Sequence, residues 1–84
     1  MPKKVEWTEE ALADLNKLDT PVQKRILFKI SWISRHYDNI NPEPLSGVLR
    51  GTFKIRAGDW RIIYTIEAGT IIIQAIGHRR DIYQ

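Results

Sequence analysis

Cysteine is absent from this 84-residue chain, so it can build no disulfide, thiolate metal site or cysteine nucleophile. Histidine occurs only twice, and no spacing of His, Asp and Glu resembles a ligand set, so neither a metal nor another cofactor is expected. Long apolar runs are missing too. None approaches the ~20 residues of a membrane span, and the N-terminus lacks the order of a secretion signal. No internal repeat or low-complexity segment is present. The expectation is a soluble, cytoplasmic protein without membrane contact, folded as a single domain over residues 1–84.

What the chain does carry is unevenly placed. Residues 1–49 hold seven Lys/Arg and seven Asp/Glu, whereas residues 50–84 hold six basic residues against three acidic ones. The whole net charge of +3 therefore lies in the C-terminal part, and five of its six basic residues are arginine. Arginine's planar fork suits phosphate better than the lysine ammonium does, which points to an anionic partner, with nucleic acid first.

The first half reads as a strand and two helices. Lys3–Trp7 alternates as a strand does, and Thr8 is placed to cap a helix with Glu9 and Glu10 in its first turn. Ala11, Leu12, Leu15 and Leu18 supply the apolar face of that helix. Thr20 as the cap and Pro21 at the first helical position predict the start of a second helix, with Val22, Ile26, Ile30, Ile33 and Tyr37 as its core stripe. Phe28 and Trp32 read as a widening of that stripe, His36 as a surface residue without catalytic role, and Trp7, Trp60 and Tyr64 as core. Asp38–Gly47 is rich in Asn, Pro and Gly and reads as a loop.

The second half reads as a three-stranded meander. Runs beginning at Thr52, Trp60 and Thr70 are separated by Gly58-Asp59 and Ala68-Gly69, both tight hairpin signals. Counting outward from Gly58-Asp59 sets Arg56 opposite Arg61 and puts Phe53, Ile55, Trp60, Ile62 and Tyr64 on the face that the helices cover. Lys54, Arg56 and Arg61 then share the open face, with no acidic residue expected to offset them. Uninterrupted counting through the second hairpin adds Ile76 beside Arg61 and His78 one step beyond. A solvated face is the plain alternative, but like charges directly opposite destabilise a sheet, so this gathering favours an anion site.

The residues that draw this picture also resemble a known family. Leu49–Arg56 followed by Gly58–Tyr64 resembles the central hairpin of the RelE/ParE toxin superfamily in its RelE branch, and Ile76–Tyr83 is similar to its C-terminal signature. Trp7-Thr8 with Ala11, Asp14, Leu15 and Leu18 is similar to its first helix. The resemblance implies an α+β fold: an N-terminal strand, a helical hairpin, then an antiparallel meander completing a small twisted sheet with both helices on one face. It implies a ribosome-dependent endoribonuclease that cuts mRNA in the A site without a metal, by attack of the 2′-hydroxyl on the adjacent phosphate. A RelB-like antitoxin is the implied partner, together with the ribosome and its message, and operator DNA for the toxin–antitoxin complex. The implied catalytic residues are Lys54, Arg56, Arg61, His78, Arg79 and Tyr83, with Arg50 and Arg80 as RNA contacts. His78 stands where the best-known relative has lysine, so acid and base remain open: the resemblance allows His78 either role, Lys54 that of base, and Tyr83 either stacking on and orienting the nucleotide or a part in proton transfer. A ParE-like inhibitor of DNA gyrase and a non-catalytic nucleic-acid-binding domain are the alternatives.

Overall fold

Thr8 closes the first strand and opens the first helix. Its N–H donates to the Ile73 carbonyl at 3.1 Å and its hydroxyl to the Gln74 carbonyl at 3.3 Å, while Oγ1 accepts the Ala11 N–H at 3.0 Å. One residue thus ties the strand end to the sheet and satisfies a donor that the first helical turn leaves open. The computed structural model describes residues 3–39, 43–44 and 51–82. Along them run β1 (Lys4–Trp7), α1 (Glu9–Asn16), α2 (Thr20–His36) closed by a 3₁₀ turn (Tyr37–Asn39), β2 (Glu43–Pro44), β3 (Phe53–Ala57), β4 (Trp60–Glu67) and β5 (Thr70–His78).

Spatially the strands follow the order β1-β5-β4-β3-β2. The antiparallel meander is as expected, and β1 joins it in parallel beside β5, from Lys4 opposite Thr70 to Trp7 opposite Ile73. A parallel partner needs a long crossover, which the two helices provide. Both helices lie on one face: Ala11 of α1 and Ile26, Ile30 and Ile33 of α2 meet Ile62, Tyr64, Ile71, Ile73 and Ile76 in one core. The α+β architecture predicted from the sequence is therefore the observed one.

Four local expectations change. Asp19, not Thr20, caps α2: its backbone is extended and its Oδ1 accepts the Val22 N–H at 3.1 Å, leaving Pro21 inside the first turn. Phe28 is 67% exposed, because it lies two residues from both Ile26 and Ile30 and so points away from the core stripe. Trp32 does pack against the core. Leu12 is exposed as well; Ala11, Leu15 and Leu18 suffice to cover the sheet from so short a helix. Finally, the loop after α2 contains a two-residue edge strand, with Glu43 opposite Lys54 and Pro44 opposite Phe53. Pro is tolerated at a sheet edge, where no ladder donor is required.

Tyr64 lies in the middle of this core, 2% exposed, and burial, reinforced by Tyr37, pushes its phenol up from 10.0 to about 12. The folded state therefore keeps its proton in a range where the unfolded chain releases it. Stability attributable to this group is intact below pH 10 and declines as pH rises through 12, by about 3 kcal/mol in all at 1.36 kcal/mol per pH unit. Urea titrations between these limits should show that decline in the wild-type protein and a flatter profile in Tyr64→Phe.

Candidate nucleic-acid interface

The first hairpin has the register counted from its turn. Ala57 faces Trp60, Arg56 faces Arg61, Ile55 faces Ile62, Lys54 faces Ile63 and Phe53 faces Tyr64. Gly58 has φ +64, as the first central position of a type II′ turn demands. Strand alternation then puts Lys54, Arg56 and Arg61 on the sheet face away from the helices. Ile63 stands among them and is only 6% exposed, so this surface has an apolar floor beneath its charges.

The second hairpin departs from simple counting. Its turn holds Ala68 at φ 49 and Gly69 at φ 79, and the ladder runs regularly until Tyr64 faces Ile73. Ile63 then faces Ala75, which leaves Gln74 as the extra residue of a β-bulge. Neighbouring elements satisfy the disturbed backbone: the Gln74 carbonyl takes the Thr8 hydroxyl, and the Ile76 N–H donates to Asp14 Oδ2 at 3.0 Å. The Gln74 side chain donates to Thr65 Oγ1 at 3.0 Å. Beyond the bulge every pair is offset by one residue. Arg61 faces Gly77, Ile62 faces Ile76 and Trp60 faces His78.

This overturns the expected placement of Ile76 and His78 on the open face. Ile76 belongs to the core under the helices. His78 stands on the side of Trp60, with the two rings edge to face at 5.4 Å between centroids. Its Nδ1 accepts the Arg80 N–H at 3.2 Å, and its carbonyl accepts the N–H groups of Asp81 and Ile82 at 2.8 and 3.0 Å. His78 shapes the tight turn that follows β5, and it does not share a face with Lys54, Arg56 and Arg61.

That turn brings the chain back over the open face. A methyl group at Gly77 would lie 2.8 Å from Ile82 Cδ1 and 3.3 Å from its Cβ, so the missing side chain is what admits Ile82 beside Arg61. Arg79 donates its N–H to the Asp59 carbonyl at 2.8 Å, and its Nε lies 3.7 Å from Asp59 Oδ1. Both side chains are about half exposed or more, so the pair is worth little in water and a phosphate can exchange for the carboxylate.

Arg61 is fixed differently. Its Nη1 donates to the Gly58 carbonyl at 2.8 Å and to the Trp60 carbonyl at 3.0 Å, which holds the guanidinium over the turn with no carboxylate to neutralise it. Arg56, directly opposite, is exposed and has no ion pair or hydrogen bond among the described residues. Lys54 is half-buried, and Glu43 of the edge strand is its backbone partner in the register. Arg80 lies in the exposed turn, while Arg50 and Tyr83 lie outside the described residues. No three His, Asp or Glu side chains gather into a metal-binding group among the described residues, and no helix there is long and apolar enough to cross a membrane.

Arg25 is a cation that sequence reasoning did not assign to the site. It leaves α2 and lays its guanidinium on the hairpin turn, Nη1 reaching to 3.0 Å from where a Gly58 Cβ would stand. Only its place directly before the core residue Ile26 hints that it faces the sheet.

Comparison with known proteins agrees with this architecture. Residues 5–83 match the family model described as ParE toxin of type II toxin–antitoxin system, parDE. The chain is 36% identical to Toxin RelG of Mycobacterium tuberculosis, covering 100% of this chain and 99% of that protein. It superposes on the toxin–antitoxin complex RelBE2 from the same organism with TM-score 0.82 and 32% identity, over 96% of this chain and 95% of that one. A mutant of E. coli RelE in the free state gives TM-score 0.77 at 20% identity, over 99% and 90% of the two chains. An archaeal RelE–RelB complex from Pyrococcus horikoshii gives 0.73 at 19% identity, over 96% and 99%.

Proposed function

The chain belongs to the RelE/ParE family of toxins from type II toxin–antitoxin systems, and from that premise we propose that it is a ribosome-dependent mRNA endoribonuclease. The observation that carries this reading is Arg56 set directly opposite Arg61 on the open sheet face. Such a pair works against folding by a few tenths to about 1 kcal/mol, and a polyanion laid across the strands is what turns it to advantage.

In the proposed reaction the 2′-oxygen attacks the adjacent phosphorus as its proton departs. The P–O5′ bond breaks and the 5′-oxygen takes up a proton, leaving a 2′,3′-cyclic phosphate and a 5′-hydroxyl. Arg56 and Arg61 stabilise the charge that gathers on the non-bridging oxygens. Arg79 adds a third guanidinium once phosphate replaces Asp59. Of the three titratable candidates for proton transfer, Lys54 stands on this face, His78 does not, and Tyr83 lies outside the described residues. Lys54 is therefore the described residue placed to relay one proton there, with water exchanging the other.

The proposed partner is an antitoxin, as in the RelBE2 and RelE–RelB complexes. Helix α2 carries Lys24, Arg25 and Lys29 beside the exposed Leu27 and Phe28 and holds no acidic residue. That surface complements an acidic, amphipathic segment.

One observation favours a second reading, gyrase inhibition: the matching family model is named for ParE. Mapping message ends after incubation with translating ribosomes separates the two. Codon-phased cuts that fall at least tenfold in Lys54→Ala and Arg56→Ala are the expected result. Intact messages alongside stalled gyrase would establish the second reading instead.

A further inference from the structure

We propose that the tip of the β3–β4 hairpin is a second phosphodiester subsite, in which Arg25 grips the RNA backbone next to the phosphate held by Arg56 and Arg61; this rests on the reading that the chain binds RNA. Two guanidiniums converge on one residue there. Arg61 Nη1 donates to the Gly58 carbonyl, and Arg25 Nη1 comes as close to Gly58 as a side chain at that position would permit. Arg79 is fastened to Asp59, the other central residue of the turn.

Three arginines from α2, β4 and the turn after β5 thus ring a two-residue turn that bears a single carboxylate. Arg25 has neither an ion pair nor a hydrogen bond among the described residues. An exposed arginine serving only solubility needs no fixed place, yet this one crosses from the helical layer to the end of the sheet. The absence of a Gly58 side chain leaves it room to do so. The backbone of a nucleic acid is the ligand that suits this arrangement: guanidinium forks match phosphate oxygens, and an extended strand supplies phosphates in series, one over the open face and the next at the tip.

The test compares binding of a short single-stranded oligoribonucleotide to wild type, Arg25→Ala, Arg25→Lys and Arg35→Ala over a salt series. Arg35 lies on the same helix, is exposed, and sits roughly 15 Å further along the axis from ten residues at 1.5 Å each. It therefore removes the same charge away from the turn. Losing one phosphate contact makes the slope of log K against log salt shallower by about 0.7 for a single strand. That change is expected in Arg25→Ala, with wild-type slopes in Arg25→Lys and Arg35→Ala. Equal slopes throughout, or equal shifts in Arg25→Ala and Arg35→Ala, would overturn the subsite. Ribosome-dependent cleavage is scored separately. Wild type that cuts while Arg25→Ala keeps its slope sinks the subsite alone; a shallower slope without cutting sinks the nuclease reading and leaves the subsite standing.

Discussion

Arg61→Ala is expected to lower ribosome-dependent cleavage by about 10²–10³-fold, the loss typical when one preorganised donor to a developing oxyanion is removed, while the protein folds as before. Two contributions to stability oppose one another in this variant. Removing the positive charge opposite Arg56 relieves a few tenths to about 1 kcal/mol. Losing the hydrogen bonds to the Gly58 and Trp60 carbonyls removes about 0.5–1.5 kcal/mol each before water replaces them. At least the Gly58 contact is exposed, so water takes over much of the loss, and the net change stays within about 1 kcal/mol. A large fall in cleavage with a nearly unmoved urea midpoint identifies Arg61 as a group reserved for substrate. His78→Ala should retain more activity in the same assay, because His78 shapes the tail from the far side of the sheet. Equal losses in the two variants would count against the assignment of roles.

Ile62→Ala should do the reverse, weakening the fold far more than the chemistry. Ile62 is fully buried between Ile55 and Ile76 in the register of three adjacent strands. Truncating a buried isoleucine removes its transfer free energy and leaves a cavity, together about 2–5 kcal/mol. Domains have about 5–15 kcal/mol in total, and a chain of 84 residues starts near the low end because it buries a smaller share of its surface. The urea midpoint should drop on the order of 2 M, taking a slope near the lower end for small proteins. At temperatures where the variant remains folded, cleavage should stay within a few-fold of wild type. A midpoint shift below about half that size would show that the neighbouring isoleucines collapse into the gap.

Local chemistry made much of this legible. Thr8 caps α1, the Val22–Ile26–Ile30–Ile33–Tyr37 stripe meets the sheet, and Gly58-Asp59 forms the turn that fixes the first hairpin. Each depends on residues close together in sequence, where side-chain period and turn chemistry have few competitors. The strand pairing of Lys54, Arg56 and Arg61 follows from the turn and from the need to bury the alternate positions.

The sequence by itself therefore determined the order of the helices and main strands (though not the edge strand β2), the first hairpin register, and the placing of Lys54, Arg56 and Arg61 on one face. Tertiary structure alone decided which way His78 and Ile76 point, because the bulge at Gln74 is supported by Thr8 and Asp14, sixty or more positions away. A single inserted residue reverses every later side chain in a strand, and no periodicity within β5 reveals it. The reach of Arg25 to Gly58 is likewise a contact between layers: packing α2 across the sheet created it, and neither segment carries a local sign of the other.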